Sequence, residues 1–167
     1  MSNAWWEVVW KTVCEEFSDL PDAASVTRIT VRLSLAALLG GILGFERERK
    51  GKAAGLRTHM LVALGAALFI LIPEQAGSSH ADLSRVLQGI VAGIGFLGAG
   101  SIIKGHVEED IKGLTTAAGI WLTAAIGVAA GMGRETTAVL STVLAVIILG
   151  AGSRFSHYLS SGQKSNP

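Results

Sequence analysis

Between Arg85 and Lys104 lies a stretch of 18 residues without a charged side chain, VLQGIVAGIGFLGAGSII, and five of them are glycines: Gly89, Gly93, Gly95, Gly98 and Gly100. A helix of this composition in water would be poorly stable, at roughly 1 kcal/mol per glycine relative to alanine. In a bilayer the backbone must satisfy its own hydrogen bonds, so helix is enforced. Glycine then offers a flat surface that a second helix can approach closely. Gly89, Gly93 and Gly100 fall near one helix face, Gly95 and Gly98 on another. This predicts a helix packed on two sides, at the centre of a membrane bundle, in preference to a buried helix of a soluble protein.

Composition agrees. The chain has 167 residues, 50% hydrophobic and only 16% charged, against about 25% charged in average soluble domains. The net charge of +1 and the lack of an aromatic-basic surface motif exclude a nucleic-acid binder. Cys14 is the single cysteine, so no internal disulfide and no cysteine metal cage can form. The start, MSNAWWEVVWK, lacks the basic opening and short apolar core of a secretory signal.

Residues 4–17 read as an amphipathic helix, with Trp6, Val9, Trp10, Val13 and Phe17 at helical spacing and Glu7, Lys11 and Glu15 opposite. Its tryptophans suit the headgroup zone, which predicts either an interfacial helix on the bilayer or a short helix docked on the bundle. Leu20-Pro21-Asp22 should end it. Five apolar segments follow, at about 26–45, 58–73, 86–103, 113–133 and 136–153, each near the roughly 20 residues that cross a bilayer. The expected fold is therefore an all-α, polytopic bundle of five transmembrane helices at 26–153. It is preceded by an interfacial helix and linker at 1–25 and followed by a polar, disordered tail at 154–167. Nine lysines and arginines fall on the side of the first loop, the third loop and the tail, against four on the other. That bias predicts the N-terminus outside and the C-terminus in the cytoplasm.

Polar residues gather at both ends of the segments. At the outer end, depth counting brings Arg32, Glu74 and Gln88 together. Arg32 either pairs there or snorkels to lipid phosphate. At the inner end, Glu46 and Arg47 close the first segment, Arg57, Thr58 and His59 open the second, and Thr115 and Thr116 open the fourth. The expected pairing is Glu46 with Arg57, with the threonine hydroxyls capping a helix start. The cluster is either a charge-paired interfacial anchor or a functional site.

Enzyme signatures are lacking: there is no HExxH, Gly-x-Ser-x-Gly or CxxC. Gly93 to Gly98 spell a literal G-x-G-x-x-G, but inside an apolar helix and after no strand, which argues against a dinucleotide site. Glu108, Glu109 and Asp110 form a solvated acidic run that would hold magnesium only loosely. No cofactor and no metal site is expected. Small-residue surfaces predict a homodimer, through Gly40-x-x-x-Gly44 or through the Gly89/Gly93 face.

Three linked motifs, GILGFERERKGKAAGLRTHMLVALGAAL, RVLQGIVAGIGFLGAGSII and GLTTAAGIWLTAAIGVAAG, resemble the MgtC/SapB family of bacterial inner-membrane proteins over about residues 28–150. The matching positions are Glu46, Arg47, Gly55 to His59, Gln88, Gly93 to Gly100, Gly113 to Thr116 and Trp121. The resemblance implies a five-helix, non-enzymatic inner-membrane protein. It also implies a role in adaptation to low magnesium or acid stress and, in pathogens, survival inside macrophages. The implied mode of action is modulation of other membrane proteins, F-type ATP synthase among them. Some members carry a C-terminal soluble domain; this chain ends at Pro167, and the short form is expected. The alternative is a small magnesium or cation transporter or channel built by an oligomer. The mid-membrane hydroxyls available to such a path are Thr123 and Ser141, and no acid lies mid-segment.

Overall fold

The structure is a computed structural model that describes residues 4–18, 22–104 and 111–162, with side-chain detail excluding 103, 104, 111 and 152–162. The chain divides into two compact units, Met1–Val31 and Arg32–Pro167. The first contains α1 (Trp5–Glu16) and the opening turns of α2 (Ala23–Arg49). No residue of α1 is buried. Of the expected break at Leu20-Pro21-Asp22, only Asp22 falls within the described residues. Its carboxylate accepts the Ser25 N–H at 2.7 Å and so caps α2. That backbone hydrogen bond holds the Asp22 carboxyl below the usual carboxylate range.

The second unit continues α2 and adds α3 (Leu56–Gln75), α4 (His80–Gly100), α5 (Leu114–Gly131) and α6 (Glu135–Gly162). A two-residue antiparallel pair, β1 (Ile103–Lys104) with β2 (Ile111–Lys112), lies between α4 and α5. The sequence does not announce this pair. The third segment accordingly stops at Gly100 and not at 103. The acidic run Glu108 to Asp110 lies outside the described residues.

Among the described residues four helices, α2 to α5, are long and apolar enough to cross a membrane, where five were expected. The fifth expected span belongs to α6, whose described apolar stretch, Glu135–Ala151, is shorter than the others. The tail also departs from expectation: α6 continues to Gly162. Residues 154–161 contain no glycine or proline to stop a helix.

The centre of the bundle is α5 and not α4. Nine residues of α5 are buried, from Thr116 to Gly131, whereas α4 buries only Gly98. The core joins Ala36, Leu39 and Leu43 of α2, Ala63 and Ala67 of α3, Ile126 and Ala130 of α5, and Ala138 and Ala145 of α6. What makes this packing close is glycine on two helices that meet α3. From α2, a Cβ at Gly40 would sit 2.6 Å from the His59 carbonyl oxygen, and one at Gly44 would sit 2.7 Å from the Leu56 Cα. From α5, a Cβ at Gly131 would lie 2.8 Å from the Ala67 carbonyl oxygen, and one at Gly127 would collide with that of Ala63. Both obstacles are backbone, so neither can swing away. Gly40 and Gly44 therefore serve packing within the protomer, which removes them as dimer candidates. Gly89, Gly93, Gly95 and Gly100 meet nothing within 4 Å, and only Gly98 touches a neighbour, Ala117.

This contrast sets the first prediction. Gly127→Val should destabilise the bundle by about 3 kcal/mol or more, at or beyond the upper end of ordinary overpacking costs. Gly93→Val should leave protomer stability unchanged. Thermal unfolding of both variants in mild detergent checks this, and equal losses would count against α5 as the centre.

Candidate functional site

Polar side chains converge at both ends of the bundle. At one end Arg32 of α2, with 13% of its side chain exposed, donates from Nη1 to Glu74 Oε2 of α3 at 2.8 Å and to the Gly131 carbonyl of α5 at 2.9 Å. Its Nε lies 3.9 Å from Glu135 Oε1 of α6. One guanidinium thus ties four helices. It also occupies one of the last α5 carbonyls, which have no partner inside their own helix. Gly133, at φ +68° between α5 and α6, lies against the guanidinium, and a side chain there would strike it. Gln88 is exposed on α4 and makes no recorded contact with this cluster, contrary to expectation. Glu135 was missed; its signal was an acid in the first turn of a helix, where the macrodipole favours it.

At the other end the residues sort into a buried and an exposed set. Arg47 is 2% exposed, and its Nη1 lies 3.8 Å from Glu46 Oε2. Glu46 is also ion-paired with Lys50, one turn on. The Lys50 ammonium donates to the Leu149 carbonyl of α6 at 2.6 Å. The expected Glu46–Arg57 pair does not form. Arg57 and Thr58 are exposed, and the partners of Glu46 come from its own helix at spacings of one and four. The i, i+4 arrangement of Glu46 and Lys50 was legible in the sequence and competes with any pairing across a loop.

His59 is fully buried, with Nδ1 2.9 Å from the Gly55 carbonyl oxygen. That oxygen can only accept, so Nδ1 carries the proton and Nε2 presents a lone pair. Nε2 faces Gly119 and has no partner among the described residues. A cavity of about 180 Å³ adjoins it, lined by His59, Thr115, Gly119 and apolar residues of α2, α5 and α6. Thr116 is buried, and Thr115 is largely exposed beside the cavity. Neither caps α5: its N-cap is Gly113, at φ +99° and without a side-chain cap. Sequence reasoning gave no cap to α3, yet the carboxylate of Glu48 accepts the Leu56 N–H at 2.7 Å.

Between the two ends, the buried hydroxyls are turned back on their own helices. Thr123 donates to the Gly119 carbonyl and Thr142 to that of Ala138, each at 2.8 Å. No group of three or more His, Cys, Asp or Glu that could hold a metal occurs among the described residues.

Arg32→Ala should lower stability by about 2 kcal/mol. That is less than for a fully buried pair, because Glu74 and Glu135 are each 45% exposed. Gln88→Ala should change nothing. Unfolding temperatures in detergent measure both.

Comparison with known proteins adds an independent line. The model of the MgtC family matches residues 33–158. Protein SrpB of Synechococcus elongatus is 43% identical over 137 residues, covering 75% of this chain and 75% of its own. The "Putative magnesium transporter YhiD" of Escherichia coli K12 is 41% identical over 126 residues, covering 71% of this chain and 58% of its own. Protein MgtC of Brucella abortus is 45% identical over 116 residues, covering 70% of this chain and 48% of its own. This chain thus spans about half the length of the last two. No solved structure matches.

Proposed function

The chain belongs to the MgtC family, and we propose that it is a non-enzymatic inner-membrane protein of adaptation to low magnesium or acid stress, acting by modulating other membrane proteins. The observation that carries this reading is the distribution of polarity. Between Arg32 at one end and Glu46, Arg47 and His59 at the other, no helix bears an acid mid-length, and the buried threonines satisfy themselves. A cation path through one protomer has nothing to line it, whereas the basic end offers a recognition surface. In this reading Glu46, Arg47, His59 and Thr116 form its buried base. Arg57, Thr58 and Thr115 stand exposed beside them and make the contact. The family resemblance names F-type ATP synthase as one such partner and survival inside macrophages as one outcome.

The reading includes five crossings, with the 47–57 loop in the cytoplasm by its basic residues. The N-terminus is outside, and α1 lies on the outer interface with its tryptophans in the headgroups. A homodimer would use the Gly89/Gly93 face of α4, where a Cβ would meet nothing within 4 Å among the described residues. A second reading, a magnesium or cation pathway between protomers, draws on the transporter name of YhiD.

Growth at limiting magnesium tests the proposal, in a strain lacking the gene and complemented with wild type, Glu46→Gln, Arg47→Gln or Arg57→Ala. Each variant should reach the membrane and fail to restore growth. Normal growth of all three would sink the assignment. Magnesium flux in liposomes holding only this protein should match protein-free liposomes; sustained flux would favour the second reading.

A further inference from the structure

We infer that the groove between the basic ends of α2 and α6 is a binding site for one anionic phospholipid, with the headgroup phosphate on Arg49 and an acyl chain along α6. The groove has a volume of about 540 Å³, and its lining includes Glu46, Arg49, Lys50, Val146, Ile147 and Gly150. That size falls within the range of small-molecule sites. Its lining divides by chemistry. The α2 side is charged; the α6 side is apolar and belongs to the stretch Glu135–Ala151. Val146 and Ile147 turn apolar side chains into the same groove, and Ile147 is 57% exposed. An occupant must therefore join an anionic head to an apolar body.

The charged side is prepared for a phosphate. Glu46 does not repel it, because Lys50 and Arg47 already neutralise that carboxylate. Lys50 is held in place by the Leu149 carbonyl and lends its charge to the groove wall. The Arg49 guanidinium lies over the Phe45 ring, 5.7 Å from its centroid. That contact holds the guanidinium beside the groove, and its planar fork of N–H donors matches the oxygens of a phosphate. Basic pockets between helices at a cytoplasmic interface are where anionic headgroups bind. This inference rests on the membrane embedding and the cytoplasmic placement of this end proposed above, and not on the cellular role.

Native mass spectrometry of the full-length protein in an uncharged detergent tests it, with phosphatidylglycerol, phosphatidylcholine and inorganic phosphate as probes. One phosphatidylglycerol should be retained in preference to phosphatidylcholine. Arg49→Gln should weaken that retention about tenfold, as loss of a charge-assisted phosphate contact does. Ile147→Trp, which fills the groove from the exposed side of α6, should weaken it similarly with Arg49 intact. Lys52→Gln, in the neighbouring loop, should leave it unchanged. Equal retention of the two lipids, or equal loss from Lys52→Gln and Arg49→Gln, would overturn the site in favour of diffuse surface attraction. Displacement of the lipid by millimolar inorganic phosphate would overturn it in favour of a phosphate site.

Discussion

The contact on which the bundle depends is the close approach of backbone to backbone along α3. Gly127 and Gly131 of α5 lie against the Ala63 and Ala67 carbonyls, while Gly40 and Gly44 of α2 lie against the His59 carbonyl and the Leu56 Cα of the same helix. In lipid there is no gain from hiding apolar surface, because the surroundings are as apolar as the side chains. Association has to come from dispersion, which rewards short separations. Removing four side chains from two helices lets three helices meet at distances that leucines would forbid. The alanines of α3 supply the matching low relief. Once α2, α3 and α5 are locked, their ends are fixed too, and the polar groups have defined neighbours.

Those polar groups then do at the ends what glycine does in the middle. Arg32 binds α2 to α3, α5 and α6 through one planar group with several donors. A lysine could not reach the same partners, since its single nitrogen lacks the fork. At the opposite end the connections run through Lys50 to α6 and Glu48 to the start of α3. The arrangement leaves His59 Nε2 and the Nε and Nη2 of Arg47 buried without partners among the described residues. Unsatisfied groups of this kind are costly in a low-dielectric interior, and the Nε of Arg32 at the other end is a further one.

The glycine-rich segment illustrates how a strong sequence signal can be read correctly in kind and wrongly in place. Its composition required helix in an apolar medium, and α4 is that helix. Yet glycine records only the absence of volume; it does not say whether a neighbour fills the space. At Gly40, Gly44, Gly127 and Gly131 the space is filled by α3, and at Gly89, Gly93, Gly95 and Gly100 it is open. The Arg32–Glu74 contact was within reach of depth counting, because a short loop fixes the vertical register of two antiparallel helices. Gln88 does not join that contact, and Glu46 pairs with Lys50 of its own helix and not with Arg57.

By itself the sequence determined the medium, the helical segments and their order, and the sorting of charge to the two ends. These follow from hydropathy and hydrogen-bond satisfaction, which act along the chain and need no partner. The motifs it carries also determined the family. Only the tertiary structure decided the rotation of each helix about its own axis. That angle chose α5 as the centre, turned His59 inward and Arg57 outward, and gave Arg32 a second acid from α6. It is set by the packing of all neighbours at once, which no single segment encodes.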